Sequence, residues 1–195
     1  MRSINVLITG VGGQGVVLAS DILGDVAISC GYDVKKTDTL GMAQRGGSVI
    51  THMRIGATVD SQMIGAREAD LLLGFEKLEA ARWSAYLKPE ATVIVSDQCM
   101  PPLSVSLGRD VYPNDDKIMC ILSHSGAKVT FVEGQRMAAE LGNIKVLNVL
   151  MLGVVSVLMP FDKDSWKSVI AWRLPSKVVD INLEAFERGR GVLVL

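Results

Sequence analysis

Two glycine-rich segments hold the residues whose types and spacing suit chemistry. The first, Gly10-Val11-Gly12-Gly13-Gln14-Gly15, satisfies G-x-G-x-x-G between an apolar run and a helical pattern. Glycine at the first position permits a tight strand-to-helix turn. At the second it removes the Cβ that would keep a phosphate from the backbone, and at the third it lets helix and strand pack closely. Free N–H groups at the start of the following helix attract an anion. The second segment, Gly41-Met42-Ala43-Gln44-Arg45-Gly46-Gly47-Ser48, sets a fixed cation, an amide and a hydroxyl among glycines. Its Arg45 suits a phosphate or carboxylate, which a guanidinium binds bidentately. Both segments have a plainer reading as tight turns, and on that reading the chain is a scaffold.

If the first loop holds a dinucleotide, an acid is required about 20 residues further on for the ribose hydroxyl, and Asp33 and Asp38 both stand at that distance. An NAD-dependent oxidoreductase is therefore one candidate. It lacks a persuasive acid–base residue downstream. His52 and His124 are the only histidines, and His52 falls in an alternating apolar pattern that suits a structural ring. Asp70 and Glu76 flank an apolar run, where capping explains them better than catalysis. Cys30, Cys99 and Cys120 are odd in number and form no C-x-x-C, so neither a zinc ribbon nor a disulfide framework is expected. A cubane cluster takes four thiolates, so any such cluster must belong to another chain.

The elements that position these loops follow from periodicity. Ile4–Thr9 and Ala69–Phe75 are short apolar runs of the kind that form strands buried on both faces. Val16–Cys30 has helical spacing and a stop at Gly31. Asp33–Thr39 and Thr92–Ser96 read as strands, and Val49–Ile55 alternates like a half-exposed one. Glu76–Leu87 reads as a helix. Beyond residue 100 the chain turns helical: Asp115–Ser123, Gln135–Leu141, Ile144–Met159, Ser165–Arg173 and Lys177–Arg188, with one strand at Lys128–Glu133. The prediction is an α/β, Rossmann-like fold. It has a mostly parallel sheet, helices on both faces and a helical C-terminal part, all in one domain over residues 1–195.

Composition narrows the function. The 195 residues are 49% hydrophobic and 21% charged, and 20 Lys and Arg face 21 Asp and Glu. No basic excess is available for nucleic acid. The longest apolar run, Val146–Met159, covers about 21 Å as a helix, short of a bilayer's ~30 Å core. No membrane span and no signal peptide are expected, and a cytoplasmic location fits.

The pair of loops, with Gly65, Glu68-Ala69-Asp70, Leu73-Gly74-Phe75-Glu76, Tyr86-Leu87-Lys88-Pro89 and Leu141-Gly142-Asn143 with Asn148 and Leu152-Gly153, resembles the gamma-type domain of 2-oxoacid:ferredoxin oxidoreductases, in particular the indolepyruvate branch. The resemblance covers most of the chain; residues 100–116 carry none of it. It implies a Rossmann-like fold that does not use NAD. The complex would decarboxylate a 2-oxoacid oxidatively to an acyl-CoA and pass electrons to ferredoxin. Thiamine diphosphate and Fe4S4 clusters would lie on a larger partner subunit. This chain would be accessory, with Gly12, Gly13, Gln14, Gly15, Gln44, Arg45, Gly46, Gly47 and Ser48 placed to hold coenzyme A.

Overall fold

A computed structural model describes residues 3–40 and 46–193. Its core is a six-stranded sheet in the order β2-β3-β1-β4-β5-β6, comprising β1 (Ile4–Val11), β2 (Asp33–Leu40), β3 (Ser48–Gly56), β4 (Ala69–Gly74), β5 (Leu87–Ser96) and β6 (Lys128–Val132). β1, β4, β5 and β6 pair in parallel, and β3 is antiparallel to both its neighbours. Only β3 runs against the rest, so the sheet is mostly parallel.

The alternation of side chains along each strand divides the core in two. In β1, Val6 and Ile8 join the larger apolar cluster while Leu7 joins the smaller one. In β4, Leu71 and Leu73 face one side and Leu72 the other. Both faces are therefore covered, which accounts for the uninterrupted apolar runs. The larger face carries α1 (Val16–Ser29), α5 (Gly134–Glu140), α6 (Leu147–Ser156), α7 (Lys163–Arg173) and α8 (Ser176–Arg190). The smaller face carries α2 (Lys77–Arg82) and α4 (Asp115–Ser123), and a one-turn α3 (Leu103–Ser106) lies in the connection before α4. All ten residues of α6 are buried. α6 and α8 pack backbone to backbone: a Cβ added at Gly153 would collide with the Phe186 carbonyl, and one at Gly189 with that of Leu150. Among the described residues no helix is long and apolar enough to cross a membrane.

Two expectations from the sequence need correction. β3 is not half-exposed; seven of its nine residues are buried. Its polar positions are satisfied inside, with Thr51 Oγ1 donating to Asp38 Oδ1 at 2.5 Å and His52 Nδ1 accepting the Ile64 N–H at 3.3 Å. The helical pattern at 76–87 breaks after Arg82 into a 3-10 turn (Ser84–Tyr86), and Leu87 already begins β5. The turn places Trp83 and Tyr86 edge-on to the His52 ring, with centroids 5.7 and 5.6 Å away.

Candidate functional site

The first glycine loop leaves β1 and enters α1 as its spacing requires. A Cβ on Gly10 would lie 2.6 Å from Gln14 Oε1 and 3.0 Å from the Phe75 Cβ, so only glycine fits there. Gly15 caps α1 in the left-handed region (φ 79°), with its α-carbon against Asn148. The Gln14 side chain closes the loop. Its Oε1 accepts the Val11 N–H at 2.6 Å, and its Nε2 donates to the Phe75 carbonyl at 3.0 Å and to Gln98 Oε1 at 2.8 Å. The loop is thereby tied to the ends of two neighbouring strands.

The second loop descends onto the first. The Gly12 N–H donates to the Gly47 carbonyl at 2.8 Å. Ser48, the first residue of β3, donates its hydroxyl to Glu79 Oε2 at 2.5 Å, and Arg82 holds the other oxygen at 2.7 Å. Glu76 caps α2 by accepting the Glu79 N–H at 2.8 Å; it also accepts the Tyr112 hydroxyl at 2.5 Å and the Met100 N–H at 3.1 Å. Burial, reinforced by that carboxylate, raises the pKa of Tyr112, so the phenol keeps its proton. Gly46 is also left-handed (φ 83°). Gln44 and Arg45 lie outside the described residues.

Beside the first loop lies a cavity of about 390 Å³, bordered by Gly13, Gln14, Gly15, Gln98, Gln135, Ile144, Lys145, Leu147 and Asn148. Three features make it suited to an anion. The first turn of α1 contains no acidic residue and has no side-chain cap, so its N–H groups remain available. Asn148 is only 6% exposed; its Oδ1 accepts the Val149 N–H at 2.9 Å, while its Nδ2 has no partner among the described residues. Lys145 stands exposed at the mouth, outside every ion pair formed by the described residues. An amide donor, a helix start and a cation thus converge on one space. Sequence reasoning singled out the loop but not Lys145 or Gln98. The signal for Asn148 was present: a polar residue within the apolar run Val146–Met159.

A dinucleotide site would be built differently. There the acid-bearing second strand lies next to the first, whereas here β3 intervenes and β2 is displaced by two strand spacings, about 10 Å. Asp38 is held by Lys36 Nζ at 3.1 Å and by Thr51, and Asp33 accepts the Val59 N–H at the opposite end of β2. Neither carboxylate is positioned for a ribose at the glycine loop. Burial lowers the pKa of His52, which keeps the ring neutral among its aromatic neighbours. Cys30 follows α1, Cys99 lies between β5 and α3, and Cys120 is in α4; among the described residues no trio of His, Cys, Asp or Glu could hold a metal ion.

Known proteins share this architecture. The chain is 38% identical over 192 residues to "Indolepyruvate oxidoreductase subunit IorB" of Thermococcus kodakarensis, covering 97% of this chain and 95% of that one. It is 38% identical over 189 residues to the protein of the same name in Methanothermobacter thermautotrophicus, covering 96% of each. The gamma subunit of a keto/oxoacid ferredoxin oxidoreductase from Geobacter sulfurreducens superposes with a TM-score of 0.71 at 22% identity, covering 98% of this chain and 99% of that one. A 2-oxoglutarate:ferredoxin oxidoreductase from Magnetococcus marinus, solved with 2-oxoglutarate, coenzyme A and succinyl-CoA bound, superposes with a TM-score of 0.76 at 19% identity. This chain is matched over 98% of its length by 31% of that larger one. Residues 5–192 match the model of the pyruvate ferredoxin/flavodoxin oxidoreductase family, and the chain belongs to that family.

Proposed function

We propose that the chain is an accessory subunit of a 2-oxoacid:ferredoxin oxidoreductase of the indolepyruvate type, and that its first glycine loop receives the phosphates of coenzyme A. The complex converts a 2-oxoacid and coenzyme A to an acyl-CoA and carbon dioxide, and two electrons pass to ferredoxin. A larger partner carries thiamine diphosphate and the Fe4S4 clusters. Thiamine, bound there, supplies the carbanion chemistry of decarboxylation. The scattered cysteines of this chain agree with that division of labour.

The observation that carries the reading is Asn148 Nδ2, without a partner among the described residues, on the same cavity as the start of α1 and Lys145. Oriented N–H dipoles and one mobile cation suit a phosphate, and the half-apolar wall of Ile144 and Leu147 suits the chain attached to it. In this reading Gly13, Gln14 and Gly15 border the ligand. Gly12, Gly46, Gly47 and Ser48 anchor the second loop against the first, and Gln44 and Arg45 are assigned to coenzyme A by residue type alone, as an amide and a guanidinium that suit phosphate. The chain's contribution is to bind and orient coenzyme A, so removing it should weaken binding and leave the chemical step intact.

The test is steady-state kinetics of the assembled complex with a dye acceptor. Asn148→Asp and Lys145→Ala should each raise the KM for coenzyme A by about tenfold with kcat nearly unchanged, the loss expected for one charge-assisted contact. An unchanged KM in both variants would refute the coenzyme A site and leave the scaffold reading. A micromolar NADH affinity at the same loop would favour a dinucleotide enzyme.

A further inference from the structure

A second cavity lies at the opposite end of the parallel strands, near the starts of β4, β5 and β6. It encloses about 530 Å³ between the Arg67 loop, the 3-10 turn before β5 and the end of α4. Ala85, Leu87 and Ile121 give it an apolar wall, and Arg67, His124 and Ser125 provide polar groups. That size lies within the range of small-molecule sites, as does an apolar wall with a few converging polar groups.

Arg67 is the strongest charge there. Its backbone is left-handed (φ 63°), rare for a residue with a long side chain, and its N–H donates to the Ala85 carbonyl at 3.2 Å. The neighbouring acids are engaged elsewhere: Asp70 pairs with Lys88 and accepts the Asn5 N–H, and Glu68 accepts the Gly65 N–H. Among the described residues Arg67 makes no ion pair. The last carbonyls of α4 are partly satisfied too, because the His124 and Gly126 N–H groups donate to Ile121 and Ser123. Ser125 Oγ is sealed from solvent and has no hydrogen-bond partner among the described residues. Rotating its side chain toward the cavity gives up no hydrogen bond and could gain one.

A guanidinium and a buried hydroxyl that both lack a side-chain partner among the described residues suit an anion. The apolar wall disfavours a bare phosphate, which would lose hydration there without return. We propose that this cavity binds a small monocarboxylate with an apolar body, its carboxylate on Arg67 with His124 and Ser125 as further donors and its body against Leu87 and Ile121. The site is separate from the coenzyme A cavity and does not depend on that reading.

Cys120 lines the cavity and is exposed, so it can report occupancy. The experiment follows iodoacetamide labelling of the complex by peptide mass spectrometry, with phenylacetate as probe and phenylacetamide as its neutral analogue. Phenylacetate should slow Cys120 labelling at least about fivefold and leave Cys99 unaffected. Arg67→Asn, which tolerates the left-handed backbone, should raise the half-protecting concentration at least about tenfold, as loss of a bidentate pair implies. Ser125→Ala should raise it by a smaller factor. Equal protection by phenylacetamide, no protection at about 20 mM (far weaker than a millimolar site), or a Cys120 already unreactive in the complex would each overturn the proposal. Saturating coenzyme A should not alter the labelling, so the two sites can fail separately.

Discussion

Gly15→Ala tests how the glycine loop and the far end of the chain are joined. Gly15 has φ 79°, where an L-alanine is strained by about 1–2 kcal/mol. The new methyl would also lie 2.6 Å from Asn148 Nδ2, on a helix buried over its whole length. Overpacking of that kind costs about 1–3 kcal/mol. The variant should therefore lose about 2–5 kcal/mol of unfolding free energy, read from urea denaturation at constant m-value. Gly13→Ala is the control: its φ of 101° is equally unsuited to alanine, but nothing lies within 4 Å of its Cβ. It should lose only the backbone part. Asn148→Ala alone removes the acceptor of the Val149 N–H and should cost about 1 kcal/mol. Combined with Gly15→Ala it also removes the collision, so the double variant should be more stable than the sum of the singles by about 1–3 kcal/mol. Additivity within about 0.5 kcal/mol would show that Asn148 does not brace the loop, and the reasoning would fail.

The other predictions use different contacts. Gly153→Ala or Gly189→Ala sets a methyl against the backbone of the facing helix, which cannot rotate away; either should lose more than about 3 kcal/mol or fail to fold, checked by circular-dichroism melting. Ser48→Ala leaves one oxygen of the buried Glu79 without its donor and should cost about 1–3 kcal/mol, with a higher KM for coenzyme A if the second loop serves that site. His52 is neutral when folded because burial lowers its pKa, whereas the unfolded chain takes up the proton near the ordinary value of 6.5. Stability should therefore fall as pH drops below that value, until folded His52 itself titrates. His52→Phe, which keeps a ring between Trp83 and Tyr86, should flatten the slope of urea midpoints between about pH 7.5 and 5; an unchanged slope would assign the acid sensitivity elsewhere.

Local chemistry was readable from the chain where it decided the structure. The apolar run in β1 and the three glycines after it specify a buried strand, a tight turn and a helix start, and the structure has all three. The end of α1 is equally local: Gly31 takes φ 83°, and the Tyr32 N–H donates back to the Ala27 carbonyl at 3.0 Å. β3 was readable as a strand but not as a buried one. Thr51 and His52 are polar residues on opposite faces of the strand, and only the distant Asp38, Ile64, Trp83 and Tyr86 make their burial tolerable. Asn148 and Lys145 lie far from the loop in sequence, so no spacing rule connects them to it. Gly153 belongs to the residues that carry the family resemblance and Gly189 does not, but no local pattern gives either its purpose, which is the approach of two helices.

The order of strands changes what G-x-G-x-x-G means in this chain. In a dinucleotide fold the second strand pairs with the first, its acid reaches the ribose, and the backbone of the middle glycine faces the pyrophosphate. Here β3 takes the place beside β1, and the turn leading into it settles over the first loop. The Gly12 N–H, which would face a pyrophosphate, donates instead to Gly47. Gly13 and Gly15, at the start of α1, border instead the cavity that Asn148 of α6 lines. The antiparallel strand beside β1 thus moves the ribose acid away and occupies the middle glycine, while the cavity at the loop opens between α1 and the C-terminal helices. The motif keeps its turn geometry, and the proposed coenzyme A site uses the helix start without the features that a dinucleotide's ribose and pyrophosphate require.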